Sequence, residues 1–274
     1  MYEKLGNTAK HIQSIKKVTP KVGLVLGSGL GAFVDRIEDP TIIPYSEIPG
    51  FYDCTVEGHT GRLILGKVKG VDAAVLQGRI HAYEGHPMED IVFPTRVLAI
   101  LGIETLLLTN AAGGVNKAFA PGDLVIINDH INMMARNPLI GPNIAELGPR
   151  FPDMTQAYNP EIREILAASG EALGLKLHSG VYAGMLGPTY ETPAEVKMMG
   201  ICGADMVGMS TVPESIAANH LGIKVGGISC ITNMAAGIQG KKLSHDDIKE
   251  QAVRVMKDFS DLLEMSIEKI GAMS

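Results

Sequence analysis

The sequence has no tryptophan, and aromatic residues make up only 5% of it. Exposed aromatic platforms of the kind that stack single-stranded nucleic acid or sugars are therefore not expected. Basic residues are in deficit: 24 Lys and Arg stand against 30 Asp and Glu, a net charge of -6. That balance argues against a nucleic-acid or membrane-surface binder, yet leaves room for a small anionic substrate held by a local positive site. Cysteine is scarce as well. Cys54, Cys202 and Cys230 are odd in number, far apart and free of any CxxC spacing. Neither a disulfide framework nor a zinc site is expected, and a reducing compartment, the cytoplasm, fits best. No apolar run is long enough to span a bilayer, and the opening MYEKL lacks the apolar centre of a secretion signal. Repeats, low-complexity tracts and Ser/Pro-rich linkers are missing too, so one domain over residues 1–274 is expected.

What is abundant is apolar residues, at 46%, and glycine, at 32 residues. The apolar stretches Val22–Leu26, 105–109 and 123–127 read as buried strands. Arg62–Val68 and 71–76 read as a hairpin turning near Gly70. Residues 88–101 are helix-like, with Pro94 shortening or kinking the helix. Asn159-Pro160 predicts an N-cap and first position for a helix over 160–173. Thr192 with Glu195, and Thr211 with Glu214, have the spacing of capping boxes. Residues 223–231 read as a strand broken by two glycines. Ser244 opens a last helix whose apolar stripe is Ile248, Ala252, Val255, Phe259, Leu262, Leu263 and Ile270. Strands alternating with helices, several without polar alternation, predict an α/β fold. Its centre is a mixed, mostly parallel sheet flanked by helices on both faces.

Polar or glycine-rich segments recur at the ends of these strands, where α/β folds build their sites. QGRIHAYEGHP at 77–87 gathers Arg79, His81, Tyr83, Glu84 and His86. Arg79 can grip a phosphate bidentately, and Glu84 can orient a histidine. GSGLG at 27–31 offers backbone N–H groups and the Ser28 hydroxyl to an oxyanion. It fits a loose dinucleotide pattern, but Pro40, Pro44 and Pro49 stand where that motif needs a helix and a second strand. TNAAGGVN at 109–116 leaves room for a flat ligand against the backbone. GPTYETP at 187–193 places Tyr190 and Glu191 before a capped helix, and VGMS at 207–210 precedes another. Asn233, at the end of a strand, carries a donor and an acceptor that suit a purine edge. Taken singly, each segment also has a plainer reading as a turn, a cap or a packing contact. Together they can face one cleft.

These segments, with GHTGR at 58–62, DHIN at 129–132 and ITN at 231–233, resemble those of the trimeric, low-molecular-mass purine nucleoside phosphorylases of bacterial type, over nearly the whole chain. The resemblance implies phosphorolysis of purine nucleosides, including inosine, guanosine and their 2′-deoxy forms, to free base and (deoxy)ribose 1-phosphate in purine salvage. It implies no cofactor and no metal; inorganic phosphate is the co-substrate. It assigns phosphate contacts to Ser28, His59, Arg79, His81, the backbone at Ala111, and Ser210. Ribose contacts fall on Tyr83, Met209, His245 and a Phe151 lent by the neighbouring subunit of a homotrimer. Base contacts fall on Glu191, Asn233, Tyr190, Val207 and Gly208, with His81, Glu84, Glu191 and Asn233 as the catalytic set. Three other readings compete. A 5′-methylthioadenosine phosphorylase would carry Asp at the position of Asn233. A non-catalytic sensor would have lost part of the site. A dinucleotide oxidoreductase lacks its βαβ context.

Overall fold

Strands without polar alternation need cover on both faces. The computed structural model of the chain, described here over residues 1–56, 58–238 and 255–273, supplies it. The strands are β1 (Val22–Leu26), β2 (Glu38–Pro44), β3 (Arg62–Val68), β4 (Val71–Gln77), β5 (Thr105–Gly114), β6 (Leu124–Asn132), β7 (Leu177–Gly184), β8 (Met206–Gly208) and β9 (Lys224–Met234). They form one sheet in the order β2-β3-β4-β1-β5-β8-β7-β6-β9, and a further β5–β9 pairing closes its second half into a ring. Pairings β1–β4, β1–β5, β5–β9, β6–β7 and β7–β8 are parallel. Pairings β2–β3, β3–β4, β5–β8 and β6–β9 are antiparallel.

The helices are α1 (Tyr2–Ile15), α2 (Met88–Ile91), α3 (Phe93–Leu101), α4 (Pro160–Ala172), α5 (Pro193–Ile201), α6 (Val212–His220) and α7 (Met256–Gly271). Side chains alternate across a strand, and in β4 the alternation sorts them between two cores. Ala74 and Leu76 join the cluster under α1, α3 and α6. Ala73 and Val75 join the cluster with Ile162 and Leu166 of α4 and Phe259, Leu262 and Leu263 of α7. The apolar stripe of α7 therefore faces the sheet. Ser244, His245, Ile248 and Ala252 lie outside the described residues.

The expected hairpin turns at Lys69 and Gly70, both at positive φ. The 88–101 helix is broken at Val92 into α2 and α3, with Pro94 in the first turn of α3, where its missing N–H costs nothing. Asn159 caps α4 by accepting from the Ile162 N–H at 3.2 Å. Asn159→Ala is expected to destabilise the fold by about 1 kcal/mol, lowering Tm by roughly 2–4 °C. An unchanged thermal midpoint would show that the cap contributes nothing.

Three strand ends need correction. The strand at 105–109 runs on to Gly114, so the small-residue segment is strand, not loop. The strand at 123–127 runs to Asn132, and the one at 223–231 runs on to Met234, with Asn233 at its end as expected. After Gly31 the chain makes a 3-10 turn (Gly31–Arg36) and antiparallel β2, so the helix and second strand of a dinucleotide unit are missing there, as Pro40, Pro44 and Pro49 indicate. Among the described residues no helix is long and apolar enough to cross a membrane.

Candidate active site

The glycine loop after β1 lies directly on β5. A Cβ on Gly27 would come 2.7 Å from the Asn110 Cα, so only glycine lets the two strands approach this closely. The Thr109 hydroxyl accepts from the Gly27 N–H at 3.1 Å and donates to the Val25 carbonyl at 2.9 Å. Those bonds set the position of Ser28. Its Oγ lies 2.8 Å from His59 Nε2, while His59 Nδ1 is 2.9 Å from both the backbone nitrogen and the carbonyl oxygen of Arg79. Burial, with the neighbouring His81 and Arg79 charges, pushes the His59 pKa down to about 3. A neutral imidazole offers one donor and one acceptor, and both of its nitrogens are taken by the chain.

Arg79 follows β4 and is buried. Its Nε donates to Glu214 Oε1 at 2.7 Å and its Nη1 to the Thr109 carbonyl at 2.9 Å. Ser210 Oγ lies 3.5 Å from the same Nη1. Nη2 is buried with no partner among the described residues. A guanidinium left with an unused donor beside the Ser210 hydroxyl is a ready anion receptor.

His81 and Glu84 bracket a short 3-10 turn. Glu84 Oε1 accepts from the His81 N–H at 2.6 Å and lies 3.2 Å from its Nδ1, which leaves Nε2 for an occupant of the cavity. Glu84 also accepts from the Thr55 N–H at 3.2 Å and from the Thr55 hydroxyl. Burial works against the Glu84 carboxylate, but the hydrogen bonds from His81 and Thr55 outweigh it and hold its pKa at about 2. The Tyr83 ring stacks on His81 at 4.8 Å, and burial raises its phenol to about 12, a neutral donor at ordinary pH.

Ser210 ends the β8 segment. Its N–H donates to the Tyr182 hydroxyl at 3.3 Å. Gly208 makes this possible, since a Cβ there would come 2.3 Å from that hydroxyl. The next residue, Thr211, has φ 70, ψ -48. Positive φ is strained for a β-branched residue. The Thr211 N–H donates to Glu214 Oε2 at 2.7 Å, and its hydroxyl accepts from Asn110 Nδ2 at 2.9 Å.

One cavity of about 130 Å³ gathers these groups with a second set. Ser28, Arg79, His81, Tyr83, Ala111 and Ser210 line it, as do Tyr190, Glu191, Val207, Gly208, Met209 and Asn233. Glu191 is 9% exposed, and burial raises its carboxyl above the usual range. Asn233 Oδ1 accepts from the Thr232 hydroxyl at 3.1 Å, and Nδ2 donates to the Met234 carbonyl at 3.2 Å. A Cβ on Gly113 would lie 3.4 Å from both Asn233 Nδ2 and Val207 Cγ2, so glycine keeps a flat slot open there. A larger cleft, about 630 Å³, opens beside α2 and the 135–147 segment. Its described lining, with Arg96, Arg136 and His220, holds no serine or glycine and none of the strand-end groups that converge on the smaller cavity, which makes the smaller cavity the better site.

His59 stands behind Ser28, and Glu84 behind His81, rather than on the cavity wall. Phe151 is 87% exposed and lines a separate hollow with His130 and Arg150. His245 lies outside the described residues. The 109–116 and 231–233 segments supply Asn110, Gly113 and Thr232 to the wall as expected, while reasoning from sequence missed Val56 and Ala235. It also read Glu214 only as a helix cap; its partner Arg79 is 135 positions away, a separation no local pattern reveals. Among the described residues no group of three His, Cys, Asp or Glu is placed to hold a metal.

The chain matches the Phosphorylase superfamily over residues 21–268. Purine nucleoside phosphorylase 1 of Geobacillus stearothermophilus is 53% identical over 93% of this chain and 93% of its own. The Schistosoma mansoni purine nucleoside phosphorylase, solved in complex with adenosine, is 38% identical with a TM-score of 0.93, covering 97% of each chain. A Schistosoma mansoni purine nucleoside phosphorylase in complex with inosine is 37% identical with a TM-score of 0.93, covering 97% of this chain and 96% of that one. By its cavity, its fold and these matches, the chain belongs to the phosphorylase superfamily and, within it, to the bacterial-type purine nucleoside phosphorylases.

Proposed function

We infer that this chain cleaves purine nucleosides with inorganic phosphate, releasing the free base and ribose 1-phosphate. One observation carries the reading: a single cavity is lined both by oxyanion donors, Ser28, Arg79, His81 and Ser210, and by base-edge groups, Glu191 and Asn233. A phosphate oxygen attacks C1′ as the bond from C1′ to N9 breaks. Positive charge develops on the ribose, as in glycoside hydrolysis, and the bonding electrons pass to the purine. The protein forms no covalent bond. It holds the phosphate against the sugar and stabilises the departing base. Glu191 accepts from the N1–H of a 6-oxopurine, and the amide of Asn233 donates to N7.

Phosphate is the co-substrate, and the reaction so read needs no cofactor. The exposed Phe151 supports a homotrimer in which it reaches a neighbouring ribose site, and the three unpaired cysteines support a cytoplasmic location. The test is release of hypoxanthine from inosine, and of adenine from adenosine, each with and without phosphate. Phosphate-dependent hypoxanthine release with little adenine is expected. Base release that ignores phosphate, or none at all, overturns the reading.

Glu191 gives this account a pH signature. Its ionised form is the acceptor, and burial has raised its pKa above 4.5. Hypoxanthine affinity, measured without phosphate, is expected to weaken as pH falls through that raised value. In Glu191→Gln the affinity should be lower by about tenfold at neutral pH, the loss of one charge-assisted hydrogen bond, and its acid limb should vanish. An unchanged acid limb in the variant would place the titration elsewhere.

A further inference from the structure

We propose that Glu214 is the positioning residue of the phosphate site, one carboxylate that sets two of the site's walls at once. The inference rests on the phosphorolytic reading of the cavity. An ordinary capping-box glutamate folds back on its N-cap N–H at the protein surface. Glu214 does this with Oε2, 2.7 Å from the Thr211 nitrogen, but it is 4% exposed, and its Oε1 is held by Arg79 Nε at 2.7 Å. The Arg79 and Glu214 side chains are 6% and 5% exposed. Water therefore cannot stand in for either partner.

The consequence is geometric. Glu214 on Nε and the Thr109 carbonyl on Nη1 fix the plane and rotation of the guanidinium, and Nη2 is the nitrogen left without a partner among the described residues. The other oxygen holds Thr211 at φ 70, a backbone conformation that a β-branched residue leaves when nothing retains it. The Thr211 turn carries Ser210, whose Oγ lies 3.1 Å from Thr211 Oγ1 and 3.5 Å from Arg79 Nη1. Arg79 comes from the end of β4 and Ser210 from the end of β8, strands that do not pair with each other. Glu214, in the first turn of α6, ties one to the other. Base recognition hangs on other elements: Glu191 precedes α5 and Asn233 lies in β9.

The test is Glu214→Gln. A glutamine offers one acceptor where the carboxylate offers two, and its NH2 opposes the second donor. KM for phosphate is expected to rise about tenfold or more, with a fall in kcat. The rise in melting temperature that inorganic phosphate gives the parent should shrink. Hypoxanthine affinity without phosphate should stay within about twofold. Unchanged phosphate KM and melting shift overturn the proposal, and so does an equal loss of phosphate and hypoxanthine binding, which marks a merely structural residue. If Glu214→Gln does not fold, Glu214→Asp serves: it keeps the charge but retracts it by one methylene, and the same selective phosphate defect is expected. The phosphate-induced melting shift needs no turnover. A parent that shows the shift but releases no base fails the functional reading, and the effect of the variant on the shift still decides the role of Glu214.

Discussion

Arg79→Gln is expected to lower kcat/KM for phosphate by about a thousandfold, a charge-assisted fork being worth at least a single oxyanion-hole donor of 10²–10³. The guanidinium is buried, and among the described residues that line the cavity it is the one Lys or Arg. The substitution has a second effect. It leaves the Glu214 carboxylate buried without its partner, and breaking a buried ion pair costs about 3–5 kcal/mol. Lost activity alone would not separate chemistry from misfolding. Arg79→Lys separates them, because it keeps the charge that Glu214 needs but cannot reproduce the planar fork. The lysine variant should stay folded at assay temperature and still lose most of its activity, mainly through KM for phosphate. A folded Arg79→Gln protein that keeps a tenth or more of parental kcat/KM would falsify the placement of phosphate beside Arg79.

Asn233→Asp should shift the preference between inosine and adenosine by about a hundredfold toward adenosine. The Thr232 hydroxyl occupies Oδ1, and Nδ2 spends one N–H on the Met234 carbonyl at 3.2 Å. The second N–H, with no partner among the described residues, faces the base. An Asp carboxylate donates nothing to N7, repels the O6 carbonyl and accepts from a 6-amino group. The lost N7 bond is common to both purines and cancels; the O6 repulsion and the new bond from the 6-amino group, each about 1.4 kcal/mol, multiply to about two powers of ten. The ratio of kcat/KM for the two nucleosides reads this directly. If inosine stays preferred by its original margin, base selection does not run through Asn233.

The parts of the site that could be read from the sequence carry local signals. The glycine loop before Ser28, the capping boxes at Thr192 and Thr211, and the Asn159-Pro160 start of α4 each have a fixed short spacing. The residues 110–114 did not read as strand because Asn, Ala and Gly are poor strand formers. They are strand because β9 pairs with them along their length and β8 at their end. The same pairing closes the ring and brings Asn233 opposite Gly113, beside Val207.

The sequence by itself determined the kinds of element, the apolar stripes that bury them, and the chemistry available at the strand ends, because propensity, periodicity and caps act over a few residues. The tertiary structure alone decided which of those groups meet. It put His59 behind Ser28, joined Glu214 to Arg79 across 135 residues and held Thr211 at positive φ. Long-range strand register and the burial of paired charges set these contacts, and neither leaves a local trace in the chain.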